Sequence, residues 1–176
     1  VNVESAFTGK LCGGQRPGHF RGVATVVTKL MNLSRAQEAF FGQKDAQQVL
    51  VIKRFVKDLN IQVNVNMVPI VREESGLARS SRNAYLSPEE KQAALVLSRS
   101  LKKAEEAYKA GETSVESLKN IVRNEIATEP MAVIDYVELY SFDELKEISQ
   151  VKGESLLAIA VKIGKTRLID NIIIGC

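Results

Sequence analysis

Val23, Val26, Val27, Leu30 and Met31 recur at the three- and four-residue spacing of one helix face, which predicts a helix from about Phe20 to Leu33 with that stripe turned to a core. The short run from Glu38 to Phe41, closed by Gly42, has the form of a buried parallel strand. Val49, Ile52, Val56 and Leu59 place a second helix over Asp45 to about Leu59, and the Val- and Ile-rich stretch from Ile61 to Val71 predicts another strand. Helix, strand, helix, strand is the rhythm of a doubly wound α/β sheet. Two parallel strands leave their edges unpaired, so this order predicts further strands from sequence upstream of Val1.

From Arg72 to Ser87 the pattern lapses into polar, irregular sequence, a candidate hinge that separates a partial parallel-sheet domain (1–71) from a second domain (72–176). Ser87-Pro88-Glu89-Glu90 then has the signature of a capped helix start, and the helix should run to Ala110 and stop at Gly111. Thr113 with Glu116 repeats the capping spacing, and Val115, Leu118, Ile121 and Val122 carry an apolar face to about Ala127. Val133 to Tyr140 alternates like a half-buried strand. Leu156 to Ile163 and Thr166 to Ile174, joined by Gly164-Lys165, predict a β-hairpin. The second domain is therefore expected to be a small α+β unit with an antiparallel sheet.

Composition alters this picture little: 45% of the 176 residues are hydrophobic and 26% charged, ordinary for a globular chain. The net charge of +3 is too small and evenly spread to point to nucleic acid. No apolar run approaches the roughly 18 residues of a membrane span and no secretory pattern opens the chain, so a cytoplasmic location is expected. The chain opens on Val1 without a methionine, which suggests a piece of a longer protein. Cys12 and Cys176 sit in no CxxC or Cys/His cluster, and the one histidine, His19, cannot make a His-based metal site.

Candidate chemistry lies in three places. Gly42-Gln43-Lys44-Asp45 falls where a strand gives way to a helix, at the carboxyl end of a parallel sheet, where open α/β sheets bind ligands. Gly42 would let a ligand near the backbone, Lys44 supplies a cation, and the amides of the next helix favour an anion. Asp45 with Gln48 equally fits an ordinary capping box. Arg79, Ser80, Ser81, Arg82 and Asn83, in the polar hinge, offer the hydroxyls and guanidinium groups that bind a triphosphate, or else a solvated linker. Arg16-Pro17-Gly18-His19-Phe20 carries the lone histidine, a general acid or base or merely a packed residue at a helix start.

Four ordered blocks, RPGHFRGV (16–23), FFGQKDAQQ (40–48), VPIVREESGLARSSRNAYLS (68–87) and TRLIDN (166–171), closely resemble stretches of the pantothenate synthetase family. The resemblance implies the C-terminal part of a Rossmann-like domain followed by a small α+β domain. It implies a homodimeric enzyme that joins pantoate to beta-alanine through a pantoyl adenylate, using ATP and Mg2+ and releasing AMP and pyrophosphate. Gly42, Gln43, Lys44, Asp45, Val71, Arg79, Ser80, Ser81 and Arg82 would then form the ATP site, with Lys44 and Arg82 stabilising charge. Gln48 would hold pantoate, with His19 and Arg16 in supporting places. The sequence departs from the family where Gln43 replaces a frequent Glu, Arg79 a frequent apolar residue and Ala46 a frequent aromatic. The family's paired histidines in its first half have no counterpart here, so the chain by itself is expected to be inactive. A related adenylate-forming nucleotidyltransferase and a non-catalytic assembly module are the rival readings.

Overall fold

The computed structural model describes residues 3, 8–15 and 18–175. Contacts divide the chain into two compact units, Val1–Pro69 and Ile70–Cys176.

In the first unit, α1 (Leu11–Gln15) and α2 (His19–Ser34) precede β1 (Glu38–Gly42), a 3-10 turn (Gln43–Asp45), α3 (Ala46–Asp58) and β2 (Asn64–Val68). α1 forms although it includes Gly13 and Gly14. β1 and β2 pair in parallel from Glu38 against Asn64 to Gly42 against Val68. β2 is shorter than the predicted Ile61 to Val71 because its partner offers only five residues. Glu38 accepts a hydrogen bond from Asn64 Nδ2 at 2.8 Å and one from Asn66, and these hold its carboxyl below the ordinary carboxylate range.

α3 supplies the core of this unit through Val49, Val51, Ile52 and Phe55. α2 buries Phe20, Ala24 and Met31, whereas Val26 and Leu30 of the predicted stripe are more than half exposed. Its apolar residues thus form two stripes, and one faces outward. β1 is not buried as expected either, for Phe40 is 67% exposed.

The second unit is built from α4 (Pro88–Lys109), α5 (Val115–Ile126) and the strands β3 (Ala132–Ser141), β4 (Ser155–Ile163) and β5 (Thr166–Ile174). The sheet is antiparallel in the order β3-β4-β5. α4 and α5 join it in one core through Leu97, Leu101, Leu118 and Ile126 with Leu157, Ile159 and Val161. The predicted capping box forms: Ser87 Oγ accepts from Glu90 N at 3.2 Å, and Glu90 Oε2 accepts from Ser87 N at 2.8 Å. Gly164 takes φ +57° in the two-residue hairpin turn between Ile163 and Thr166.

The second predicted cap is displaced by one residue. Ser114, not Thr113, caps α5, its hydroxyl accepting from Ser117 N at 3.3 Å. Thr113 O instead accepts from Val151 N at 2.8 Å, which ties Thr113 to a distant segment. Glu125, 7% exposed, accepts from both Arg99 and Lys103 and so links α5 to α4. No described helix is long and apolar enough to cross a membrane.

Candidate active site

In the first unit the chain passes from β1 through the 3-10 turn directly into α3, placing Gly42, Gln43, Lys44 and Asp45 at the carboxyl end of a parallel strand. Gly42 has ordinary extended torsions, φ −71° and ψ 133°, so the backbone alone does not require glycine there. A Cβ on it would meet nothing within 4 Å, leaving open space for a ligand against the main chain. Gln43 and Lys44 are half-buried and Asp45 exposed.

The simple capping explanation of Asp45 and Gln48 fails. Asp45 has φ −102° and ψ 51° and makes no side-chain cap hydrogen bond. The first turn of α3 holds no acidic residue and receives no side-chain cap hydrogen bond from Asp45, and such a helix N-terminus favours an incoming anion. Within that turn Gln47 is buried and donates Nε2 to Lys10 O at 2.7 Å, a structural tie, while Gln48 is half-buried. His19 opens α2, half-buried, its ring 5.0 Å from that of Phe20. Arg16 lies outside the described residues, as does Cys176.

In the second unit the stretch expected to be a hinge is a bonded structure. Arg72 and Ala78 form a β-bridge, Glu73 N donates to Leu77 O at 2.9 Å, and Gly76 N donates to Glu73 O at 2.8 Å, closing residues 72–78 into a tight turn. Arg79 N then donates to Val71 O at 2.9 Å. Ser80 Oγ accepts from Arg82 N at 3.2 Å and starts a 3-10 turn, Ser81–Tyr85. Arg79, Ser80 and Ser81 line one open depression together with Glu73. Arg82 is exposed but does not line it, and Val71 is 60% exposed.

Lys44 and Arg82 thus stand in different units. Among the described residues no three His, Cys, Asp or Glu side chains gather to hold a metal ion.

The family model described as Pantoate-beta-alanine ligase matches residues 1–173. The chain belongs to the pantoate-beta-alanine ligase family. A pantothenate synthetase of Pelotomaculum thermopropionicum is 62% identical over 175 residues, covering 99% of this chain and 62% of its own length. One of Acetivibrio thermocellus is 57% identical over 174 residues, again with 62% of its length covered. The chain therefore spans about 62% of the length of these relatives. The crystal structure of pantothenate synthetase from Thermus thermophilus matches 98% of the chain with TM-score 0.93 at 42% identity, covering 62% of that protein. A family structure from Francisella tularensis, described as complexed with beta-gamma ATP and beta-alanine, matches with TM-score 0.71 at 30% identity, covering 57% of that protein.

Sequence reasoning passed over Glu73 and misread Asn83. Asn83 is a buried anchor, its Nδ2 donating to Glu73 Oε1 at 3.0 Å and to Ala78 O at 3.1 Å. Its place beside two serines and two arginines made it look like one more surface donor.

Proposed function

We propose that this chain forms part of an ATP-dependent ligase that condenses pantoate with beta-alanine. The observation that carries the reading is the ordered loop of a family member presenting Arg79, Ser80 and Ser81 around one depression. Pantoate's carboxylate oxygen attacks the α-phosphorus of ATP, the bond to the β-phosphate oxygen breaks, and pyrophosphate leaves. The amine of beta-alanine then attacks the acyl carbon of the pantoyl adenylate, loses a proton, and AMP departs with the former carboxylate oxygen.

Gly42 lets the nucleotide lie close to β1, with Gln43, Lys44 and Asp45 beside it in the first unit, and the resemblance makes Val71 a nucleotide contact of the second unit. Gln48 holds pantoate through its carboxamide, with His19 and Arg16 beside it. Arg79, Ser80, Ser81 and Arg82 close over the phosphates. Lys44 and Arg82 act by fixed positive charge where negative charge grows, an arrangement that needs no reorganisation at the moment of reaction. Mg2+ would arrive on the triphosphate, held through phosphate oxygens and water with at most one or two protein carboxylates. The protein is cytoplasmic and acts as a homodimer in this reading, and sedimentation of the longer protein would measure its oligomeric state.

The test is AMP release from pantoate, ATP and beta-alanine. The 176-residue chain by itself, whose single histidine is His19, should give none above buffer. A longer protein containing it should turn over, and Lys44→Ala or Arg82→Ala should each lower kcat by about 10²–10³. Full activity in either variant, or turnover of other acids in preference to pantoate, would refute the assignment.

A further inference from the structure

We propose that Asp170, acting through Arg72, is the positioning residue of the loop 79–82, setting how Arg79, Ser80 and Ser81 are presented to a triphosphate. The anion rests on the function proposed above; the anchor rests on geometry alone.

Asp170 is 3% exposed and sits on β5 opposite Ile159 of the central strand β4. A carboxylate in such a place is tolerated only when its charge and lone pairs are matched. The match comes from 98 residues away in the chain. Arg72 donates Nη1 to Asp170 Oδ2 at 2.7 Å and Nη2 to Oδ1 at 3.0 Å, a two-pronged fork, and Oδ1 also accepts from Asn171 N at 2.8 Å. The same Nη1 reaches Gly76 O at 3.1 Å, so one guanidinium grips both the sheet and the far side of the turn 72–78.

Both ends of the loop hang from that turn. Its start is held where Arg79 N donates to Val71 O, next to Arg72. Its end is held where Asn83 Nδ2 reaches Ala78 O and Glu73 Oε1, both within the turn. One path from the sheet to the side chains of the loop therefore runs through Asp170, Arg72 and the turn, beside the direct approach of the 3-10 turn Ser81–Tyr85 to β5. A lysine at 72 could keep the charge but not the planar fork.

A second ion pair of the same sheet provides the control. Arg167 Nε donates to Asp135 Oδ2 at 2.7 Å, joining β5 to β3, and its arginine is 29% exposed, as Arg72 is. Neither residue belongs to the turn.

Arg79 and Arg82 are themselves trypsin sites, so cleavage after them reports loop opening under native conditions. In the 176-residue chain, Asp170→Asn should be cut there about tenfold faster than wild type, the effect of breaking one coupled network, while Asp135→Asn stays within about twofold. Arg72→Lys should behave like Asp170→Asn, and it decides the question if Asp170→Asn fails to fold. In a longer, active protein Asp170→Asn should raise KM for ATP several-fold and leave KM for pantoate unchanged. Wild-type cleavage rates in Asp170→Asn and Arg72→Lys, or an equal rise in Asp135→Asn, would overturn the anchor. A loosened loop with unchanged KM for ATP would overturn the positioning role. Should the longer wild-type protein make no AMP, the ligase reading falls, and the cleavage rates still decide the anchor.

Discussion

Replacing Gly164 by alanine should couple the β4–β5 hairpin to the start of α4, the helix that follows the loop 79–82. The turn holds Gly164 at φ +57°, and left-handed backbone costs a residue with a Cβ about 1–2 kcal/mol. The added Cβ would also crowd Glu90 Oε1 to well inside contact distance, 2.1 Å. That atom ends a flexible side chain, so the clash itself is easily relieved by moving the carboxylate. Moving it, however, withdraws Glu90 Oε2 from Ser87 N, half of the capping box, and a lost cap costs about 1 kcal/mol. Stiffening the unfolded chain returns about 0.4–1 kcal/mol. The net loss is therefore about 1–2 kcal/mol, a fall in Tm of several degrees for a unit of this size. A double-mutant cycle with Glu90→Ala isolates the cause. Glu90→Ala alone loses the carboxylate half of the box, and in the Gly164→Ala background it should cost almost nothing more, giving a coupling of up to about 1 kcal/mol by urea unfolding. Simple additivity of the two losses would refute the proposed link and leave only the φ penalty.

Glu125→Gln should lower stability by about 1–2 kcal/mol at neutral pH and not more, because the stranded Arg99 and Lys103 are 51% and 54% exposed and can rehydrate. Hydrogen bonds from Lys103 first and Arg99 second hold the Glu125 carboxyl below its ordinary 4.5. Its contribution is thus full above that value and is lost as pH falls through the lower folded value. The gap between wild type and variant should shrink in urea titrations taken to about pH 3.5, and a gap independent of pH would refute the pairing. Ser114→Ala should cost about 1 kcal/mol and Thr113→Ala only a few tenths, since the hydroxyl at 114 is the one that caps α5; thermal melts of the two variants give the order.

Features whose causes lie within four residues were legible. The Ser87, Pro88 and Glu90 cap and the Gly164 turn depend on neighbours in the chain, and both are present as expected. Features that depend on a distant partner were misread in proportion to that dependence. β2 ends at Val68 because β1 ends at Gly42, and no property of Ile61 to Val71 contains that limit. The α5 cap shifted from Thr113 to Ser114 because Val115 N donates to Ser149 O and Val151 N to Thr113 O, a pairing with a segment far along the chain. Asp45 and Gln48 have capping spacing, yet Asp45 closes the 3-10 turn Gln43–Asp45 and makes no side-chain cap hydrogen bond.

The loop 79–82 is the extreme case. Its residues are polar, so any window centred on them describes a linker equally well. What distinguishes a presented surface from a linker is the set of bonds that fix its ends, and those run to Asn83, Glu73, Arg72 and finally Asp170, 98 residues from Arg72. In the sequence the TRLIDN block carries a family resemblance but no local reason for its aspartate. The fork from Arg72 supplies one: in a buried strand position a carboxylate is tolerated when it is paired, and here the pairing fixes a loop beside the sheet in one conformation. The order inside the second unit and the chemistry expected of its loop thus have a common source, which lies in tertiary contact and not in local pattern.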